Sequence, residues 1–176
     1  KCLNDSVLDS SSFKPKRTET NRHWHVWKTV DRLEKEGLSS SLPVGDTREV
    51  TESAISIMRQ WGEDWAGEKK WQGLLNKSSL LHEIEESIVA LTILTQWMNT
   101  RQFKQQKPIT VVDVCCGKGV FSMLASYIFQ NDPRVQKIVM LDKANINWHH
   151  INAANERAST ENRPSIEMWG GCNLHD

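Results

Sequence analysis

The sequence predicts an α/β protein in which a helical region precedes three parallel β-strands. Two observations lead to this prediction. In the second part of the chain, short β-branched apolar segments alternate with amphipathic segments of helical length, as in parallel strands joined by crossover helices. In the first part, apolar residues recur every three to four positions, which is the period of a helix.

Composition limits the class of protein. The chain has 176 residues, of which 38% are apolar and 25% are charged, with a formal net charge of zero. Zero net charge gives no global electrostatic attraction to nucleic acid. No apolar run approaches the roughly 18 residues of a membrane span, so no membrane association is expected. There is no secretory signal and no C-x-x-C motif among the four cysteines. We therefore expect free thiols, no metal site and an intracellular protein, cytoplasmic or nuclear.

Three parts are predicted along the chain. Residues 1–21 are polar and Ser-rich without hydrophobic periodicity, which indicates a disordered segment or a linker. Residues 22–106 are predicted to form a helical region, and residues 107–176 an α/β domain.

The helical region begins with two predicted helices. Arg22–Glu36 carries an apolar face with two tryptophans, for which packing in the core is the favoured interpretation. The next helix is predicted to start at Asp46, because Asp46 and Glu49 have the spacing of a capping box. Its apolar face runs to Trp61, and Gly62 is predicted to end it.

The strongest helical pattern comes later, at Ser79–Arg101. A wide apolar stripe follows its length, and acidic residues lie near its start, where they favour the helix dipole. A shorter helix is predicted before it. Its apolar residues are Trp65, Trp71, Leu74 and Leu75.

The first predicted strand, Ile109–Val114, carries the chemistry that organises the chain. Its β-branched apolar run predicts a buried parallel strand. The segment Asp113–Gly119 then supplies an acid and a loop of small residues, and an amphipathic helix follows from Val120. Glycines allow a sharp turn and close approach of a ligand, and the helix start presents free N–H groups. The acid favours a cationic or hydroxyl-rich ligand over a pyrophosphate.

A second acid ends the second predicted strand. That strand, Val135–Leu141, leads into Asp142, which lies 23 residues after Gly119. A ribose-binding acid is expected about 20 residues past such glycines. A crossover helix is then predicted at Asn145–Ser159, and a third strand at Ser165–Trp169.

The spacing of Asp113, Cys115, Gly117 and Gly119 resembles motif I of the class I S-adenosylmethionine-dependent methyltransferases. That motif reads D-x-G-x-G-x-G, and here cysteine stands where its first glycine usually lies. The resemblance covers about residues 107–176. It implies a Rossmann-like fold, S-adenosylmethionine as cofactor and methyl transfer as the activity.

The resemblance also implies which residues hold the cofactor. Asp142 would bind the two ribose hydroxyls, Asp113 and the glycine loop would hold the aminoacyl end, and Asn173 would bind adenine, with Asp176 as second choice. No residue is identified as catalytic. The implied cofactor-binding set is Asp113, Cys115, Gly117, Gly119, Asp142, Lys143 and Asn173.

A second, shorter similarity lies upstream. Lys77 followed by His82-Glu83-Ile84 resembles a segment that precedes the cofactor fold in a methyltransferase subgroup. That subgroup contains a tRNA-ribose methyltransferase and related methyltransferase-like proteins. For Glu83 itself, a solvated helix face is the favoured interpretation over a role near the cofactor.

The resemblance implies only part of the family's sheet. The family has seven strands in the order 3-2-1-4-5-7-6, and this sequence supplies the first three. We therefore expect the chain to be an N-terminal, cofactor-binding part whose partner is the missing C-terminal half of the same fold. Val111–Val114 would then present an unpaired edge. The methyl acceptor, RNA or protein, is not readable from the sequence.

Two other functions fit part of the pattern. In a nicotinamide-dependent oxidoreductase, Gly117-x-Gly119-x-x-Ser122 would approximate the G-x-G-x-x-G motif, and Asp142 would bind the adenosine ribose. Asp113 argues against this, because its carboxylate would lie beside a pyrophosphate. A non-catalytic binding module with a remnant of the methyltransferase fold is the other alternative.

Overall fold

A computed structural model describes residues 21–39, 45–100 and 107–172 of the chain. The predictions for residues 1–20 lie outside these ranges, and so do the assignments of Asn173 and Asp176. Hydrophobic residues from both sides of residue 107 belong to one contiguous core. The division of the chain into two domains at that point stays a prediction.

The predicted α/β class is confirmed, because helices come first and a parallel sheet follows. The upstream helices are α1 (His25–Glu36), α2 (Arg48–Trp65), a 3-10 turn (Lys69–Trp71), α3 (Gln72–Leu75) and α4 (Leu80–Met98). The sheet part consists of β1 (Ile109–Val114), α5 (Val120–Ile128), β2 (Val135–Asp142), α6 (His149–Ala158) and β3 (Ser165–Gly170).

The three strands are parallel and lie in the order β1-β2-β3, so β2 is central. The register aligns Val111, Ile138 and Ile166 in one row across the sheet. All three side chains are buried. Residues of this face belong to the core together with residues of α5 and α6.

The opposite face, which we call the open sheet face, is largely uncovered within the described part of the chain, although Val139 of the central strand is buried. The side chains of Val112, Val114 and Trp169 are 51%, 47% and 53% exposed. The register places Val112 beside Val139, and Val114 in one row with Leu141 and Trp169. Among the described residues, β1 lies at the edge of the sheet and only one of its faces is covered, so the prediction that β1 is a buried strand is wrong.

Aromatic side chains join the upstream helices to the sheet part. Trp65 stacks on Trp71 with ring centroids 3.8 Å apart and planes 3° apart. Trp61 and Trp65 both meet Tyr127 of α5 edge-on. Trp71 contacts the ring of His150 on α6. These contacts account for part of the tryptophan content of the sequence without any role in ligand binding.

Neither predicted boundary of α2 matches the structure. Gly62 does not end α2, which continues to Trp65. A Cβ at Gly62 would lie 2.7 Å from the Trp27 ring, so the glycine serves the close approach of α1 and α2. At the start of α2 the cap residue is Thr47, and Asp46 instead accepts the Arg48 backbone N–H at 2.9 Å.

This packing predicts opposite effects for two glycine-to-alanine changes. Gly62→Ala should destabilise the protein by about 1–3 kcal/mol, because the added methyl group overpacks against Trp27. Gly73→Ala, in α3, is the matched control, since its nearest neighbour would be the Lys118 side chain at 3.9 Å. Helix propensity should make that change neutral or stabilising by up to about 1 kcal/mol. Urea unfolding measures both, and equal effects would contradict the packing explanation.

Candidate functional site

The loop between β1 and α5, residues 115–119, is the glycine loop of the candidate site. Cys115, Gly117 and Gly119 all have positive φ, at 59°, 53° and 78°. For cysteine this conformation is strained, because its Cβ crowds the backbone. Cys115 therefore occupies a position that suits glycine, as in the motif it resembles.

The two glycines of the loop have different surroundings. A Cβ at Gly119 would lie 2.5 Å from Met140 Cε, so this glycine allows α5 to begin close against β2. A Cβ at Gly117 would meet no atom within 4 Å. The backbone of Gly117 therefore faces open space in which a ligand can lie.

Side chains from β2 and α6 hold the loop in place. The Gly117 N–H donates to Asp142 Oδ2 at 3.0 Å, and the Gly117 carbonyl accepts Trp148 Nε1–H at 2.8 Å. His150 Nε2 lies 2.8 Å from the Lys118 carbonyl oxygen. Since a carbonyl only accepts, Nε2 carries the proton. Trp148 is not among the residues predicted from the sequence, because nothing near it in the sequence indicates a hydrogen-bond partner 31 residues away.

The two strand-end acids have different environments. Asp142 accepts the N–H groups of Ala144 and Gly117, and these bonds lower its pKa, so it is ionised at neutral pH. Asp113 is more buried, and burial raises its pKa although it accepts a hydrogen bond from Ser122 Oγ at 2.7 Å. Lys143 is exposed beside Asp142.

A cavity of about 250 Å³, the acidic cavity, lies between α4 and the glycine loop. Carboxyl groups of Glu83, Glu86 and Asp113 belong to its lining, and no described lining residue is cationic. Glu83 also forms an ion pair with Lys77. Glu83 and Asp113 thus line the same cavity. From the sequence, a solvated helix face was the favoured interpretation for Glu83.

The cysteines of the acidic cavity differ in exposure. Burial, reinforced by the charges of Asp113 and Asp142, raises the pKa of Cys116 to about 12. Cys116 is therefore a neutral thiol and a poor nucleophile at physiological pH. Cys115 is exposed.

The predicted cofactor residues fall into two groups in the structure. Asp113 and Cys115 line the acidic cavity, while Asp142 accepts the Gly117 N–H and does not belong to that lining. Both groups lie at the carboxyl ends of neighbouring strands, where open α/β sheets bind ligands. Asn173 lies outside the described residues, so its predicted contact with adenine stays a prediction.

Comparisons with protein-family models, curated proteins and solved structures found no match to this chain. Within the described ranges, no helix has both the length and the apolar character needed to cross a membrane. The same ranges contain no group of three or more His, Cys, Asp or Glu side chains that could hold a metal ion. Function must therefore be argued from the geometry of the site.

The contact between His150 and the glycine loop predicts a pH dependence of stability. Burial lowers the pKa of His150, and the nearby Lys118 and His149 add to this effect. Below the ordinary histidine pKa of 6.5, the unfolded chain binds a proton that the folded chain does not. The free energy of unfolding should then fall on acidification, by up to about 1.4 kcal/mol per pH unit for this group.

His150→Gln tests this assignment, because a glutamine amide can still donate to the Lys118 carbonyl but does not titrate. Urea unfolding at pH 7.5 and 5.5 should show a smaller loss of stability in the variant than in the wild type. All other histidines are present in both proteins, so the difference between the two pH responses reports on position 150. An unchanged difference between the two pH values would show that His150 is free to take up a proton.

Proposed function

We propose that this chain is the cofactor-binding part of an S-adenosylmethionine-dependent methyltransferase. The acidic cavity beside the glycine loop carries the proposal. Glu86 and Asp113 line it together with Glu83, which is paired with Lys77, so its carboxyl groups outnumber the cations that face them. Gly117 is open toward a ligand nearby. S-adenosylmethionine carries a sulfonium and an ammonium group, and both cations are attracted to such a region.

The carboxyl group of Asp113 disfavours the alternative that this chain belongs to a nicotinamide-dependent oxidoreductase. A nicotinamide dinucleotide would place its pyrophosphate at the glycine loop. There it would lie near the carboxyl group of Asp113, and like charges at close range repel. The charge of the site, rather than the glycine spacing alone, distinguishes the two cofactors.

Asp142 retains the capacity to bind a ribose. Each of its carboxylate oxygens accepts one backbone N–H, from Gly117 or from Ala144. A carboxylate oxygen has two acceptor positions, so one on each oxygen can still accept from a ribose hydroxyl. The backbone bonds orient the carboxylate, which lowers the entropy lost when the cofactor binds. Lys143 and Asn173 belong to this site as predicted contacts.

Methyl transfer needs an acceptor held in line with the sulfonium, so positioning supplies much of the catalysis. The cofactor, when bound, supplies the activated methyl group, and the residues named here bind and orient it. The acceptor class, RNA or protein, depends on parts of the enzyme that complete the site. We propose an intracellular location, cytoplasmic or nuclear, for this enzyme.

The open sheet face supports the view that further chain completes the fold. In the family that the sequence resembles, another strand pairs with β1 on the side away from β2. Here no described strand pairs with β1 on that side, and the side chains of Val112 and Val114 on the open sheet face are about half exposed. We propose that the C-terminal half of the same fold is the natural partner of this edge and face.

Calorimetric titration with S-adenosylhomocysteine and with NAD tests the proposed function. Binding of S-adenosylhomocysteine without binding of NAD is the expected result. Preferential binding of NAD would favour the oxidoreductase. Binding of neither by the folded chain would favour a non-catalytic module.

Asp142→Ala should weaken S-adenosylhomocysteine binding on the order of tenfold to a thousandfold, because two charge-assisted hydrogen bonds to the ribose are lost. Asp142→Asn should lose less, since one acceptor oxygen remains. Glu156→Ala removes an exposed acid of α6 and is the matched control. Calorimetry gives the affinities and circular dichroism checks folding. Wild-type affinity in a folded Asp142→Ala variant would rule out the ribose assignment.

The exposed edge predicts that this chain alone transfers no methyl group and self-associates. Light scattering should give a mass above that of a monomer at micromolar concentration. Val112→Lys should reduce the association, because a charge on an edge strand opposes pairing with another chain. Ile93→Lys, at an exposed apolar residue of α4, serves as control. A stable monomer with measurable turnover would contradict the proposed incompleteness.

A further inference from the structure

A second cavity, of about 480 Å³, borders the same glycine loop at Lys118. It lies where the 3-10 turn and α3 face the start of α6. We call it the basic cavity, because no described residue of its lining is acidic. Its polar and charged lining residues are Lys69, Lys70, Lys118, Asn147, His149 and His150.

The positive charge of the basic cavity comes from its lysines and is little compensated. Lys118 Nζ donates to the Asn147 carbonyl at 3.3 Å, which leaves its charge unneutralised. Lys69 forms no ion pair with a described residue. Lys70 pairs with Glu68 at 3.3 Å, but both side chains are 51% exposed, and such surface pairs are weak.

The two histidines of the basic cavity differ in burial and in hydrogen bonding. His150 is buried and neutral, and its Nε2–H is committed to the Lys118 carbonyl. That bond fixes the backbone from which the Lys118 side chain extends. His149 is exposed at the start of α6 and can donate a hydrogen bond to a ligand.

We propose that the basic cavity binds phosphate groups of a ligand with several phosphates. Lysine ammonium groups bind phosphate oxygens as compact point charges, whereas the arginine fork binds a carboxylate or a phosphate in bidentate geometry. No arginine lines this cavity among the described residues. Its volume is within the range of about 300–1,000 Å³ typical of ligand sites and exceeds the size of one phosphate.

The phosphate groups belong either to a nucleic-acid strand or to a free nucleotide. One competition experiment distinguishes these two sources. The full chain is titrated, by fluorescence anisotropy, into a labelled single-stranded oligouridylate of ten residues. Unlabelled oligouridylate, ATP and a polyglutamate peptide then serve as competitors. Competition by the oligonucleotide well below the concentration needed with ATP indicates a strand, and the reverse order indicates a nucleotide.

The double variant Lys69→Ala/Lys70→Ala should weaken binding on the order of tenfold at 0.1 M salt. It should also reduce the slope of log affinity against log salt by about 1.4, for two lost phosphate contacts on a single strand. The matched control is Lys28→Ala/Lys35→Ala, which removes the same charge from exposed positions of α1. Both variants should bind S-adenosylhomocysteine as the wild type does.

Three outcomes would overturn the phosphate site. They are equal weakening in both double variants, no binding of either phosphate ligand by the wild type, and competition by polyglutamate as strong as by the phosphate ligands. The result is independent of the proposed enzyme function. A chain that binds phosphate here but not S-adenosylhomocysteine would keep this site and refute the cofactor assignment.

Discussion

The burial of α5 between the sheet and the upstream helices is the constraint on which the structure depends. Nearly every residue of this helix is buried, including two serines. Buried hydroxyls need partners, and these two find theirs at opposite ends of the sheet. Ser122 donates to Asp113 beside the glycine loop, and Ser126 donates to the Pro164 carbonyl and accepts from the buried Arg163. The position of α5 therefore fixes both the candidate site and the turn into β3.

The glycine loop is rigid because neighbouring elements bind it from two sides. Asp142 and Trp148 hold Gly117 by its N–H and its carbonyl, and His150 holds the next carbonyl. Such bonds allow a strained conformation at Cys115 to persist, since the surrounding contacts outweigh a cost of about 1–2 kcal/mol. A loop held in this way can present its backbone to a ligand without reordering.

A formal net charge of zero conceals a separation of charge around this loop. Acidic side chains line the cavity at Cys115 and Cys116, and lysines line the cavity at Lys118. Because charges act most strongly over less than a Debye length, about 8–10 Å at physiological salt, each cavity selects ligands by its own lining. Overall charge is a poor guide to ligand class in a protein of this kind. The proposed cationic cofactor and the proposed phosphate ligand could occupy the two sides of one loop.

The sequence by itself determined the strands, their parallel arrangement and the loop at the end of β1. These features depend on local periodicity and on glycine spacing, and β1 was predicted with the bounds it has in the structure. Tertiary structure decided the rest. Gly62 is helical because Trp27 needs the space, Trp148 and His150 support the loop across some 30 residues of chain, and Glu83 reaches the cavity of Asp113. Each of these outcomes depends on a neighbour distant in sequence, and local patterns carry no information about such neighbours.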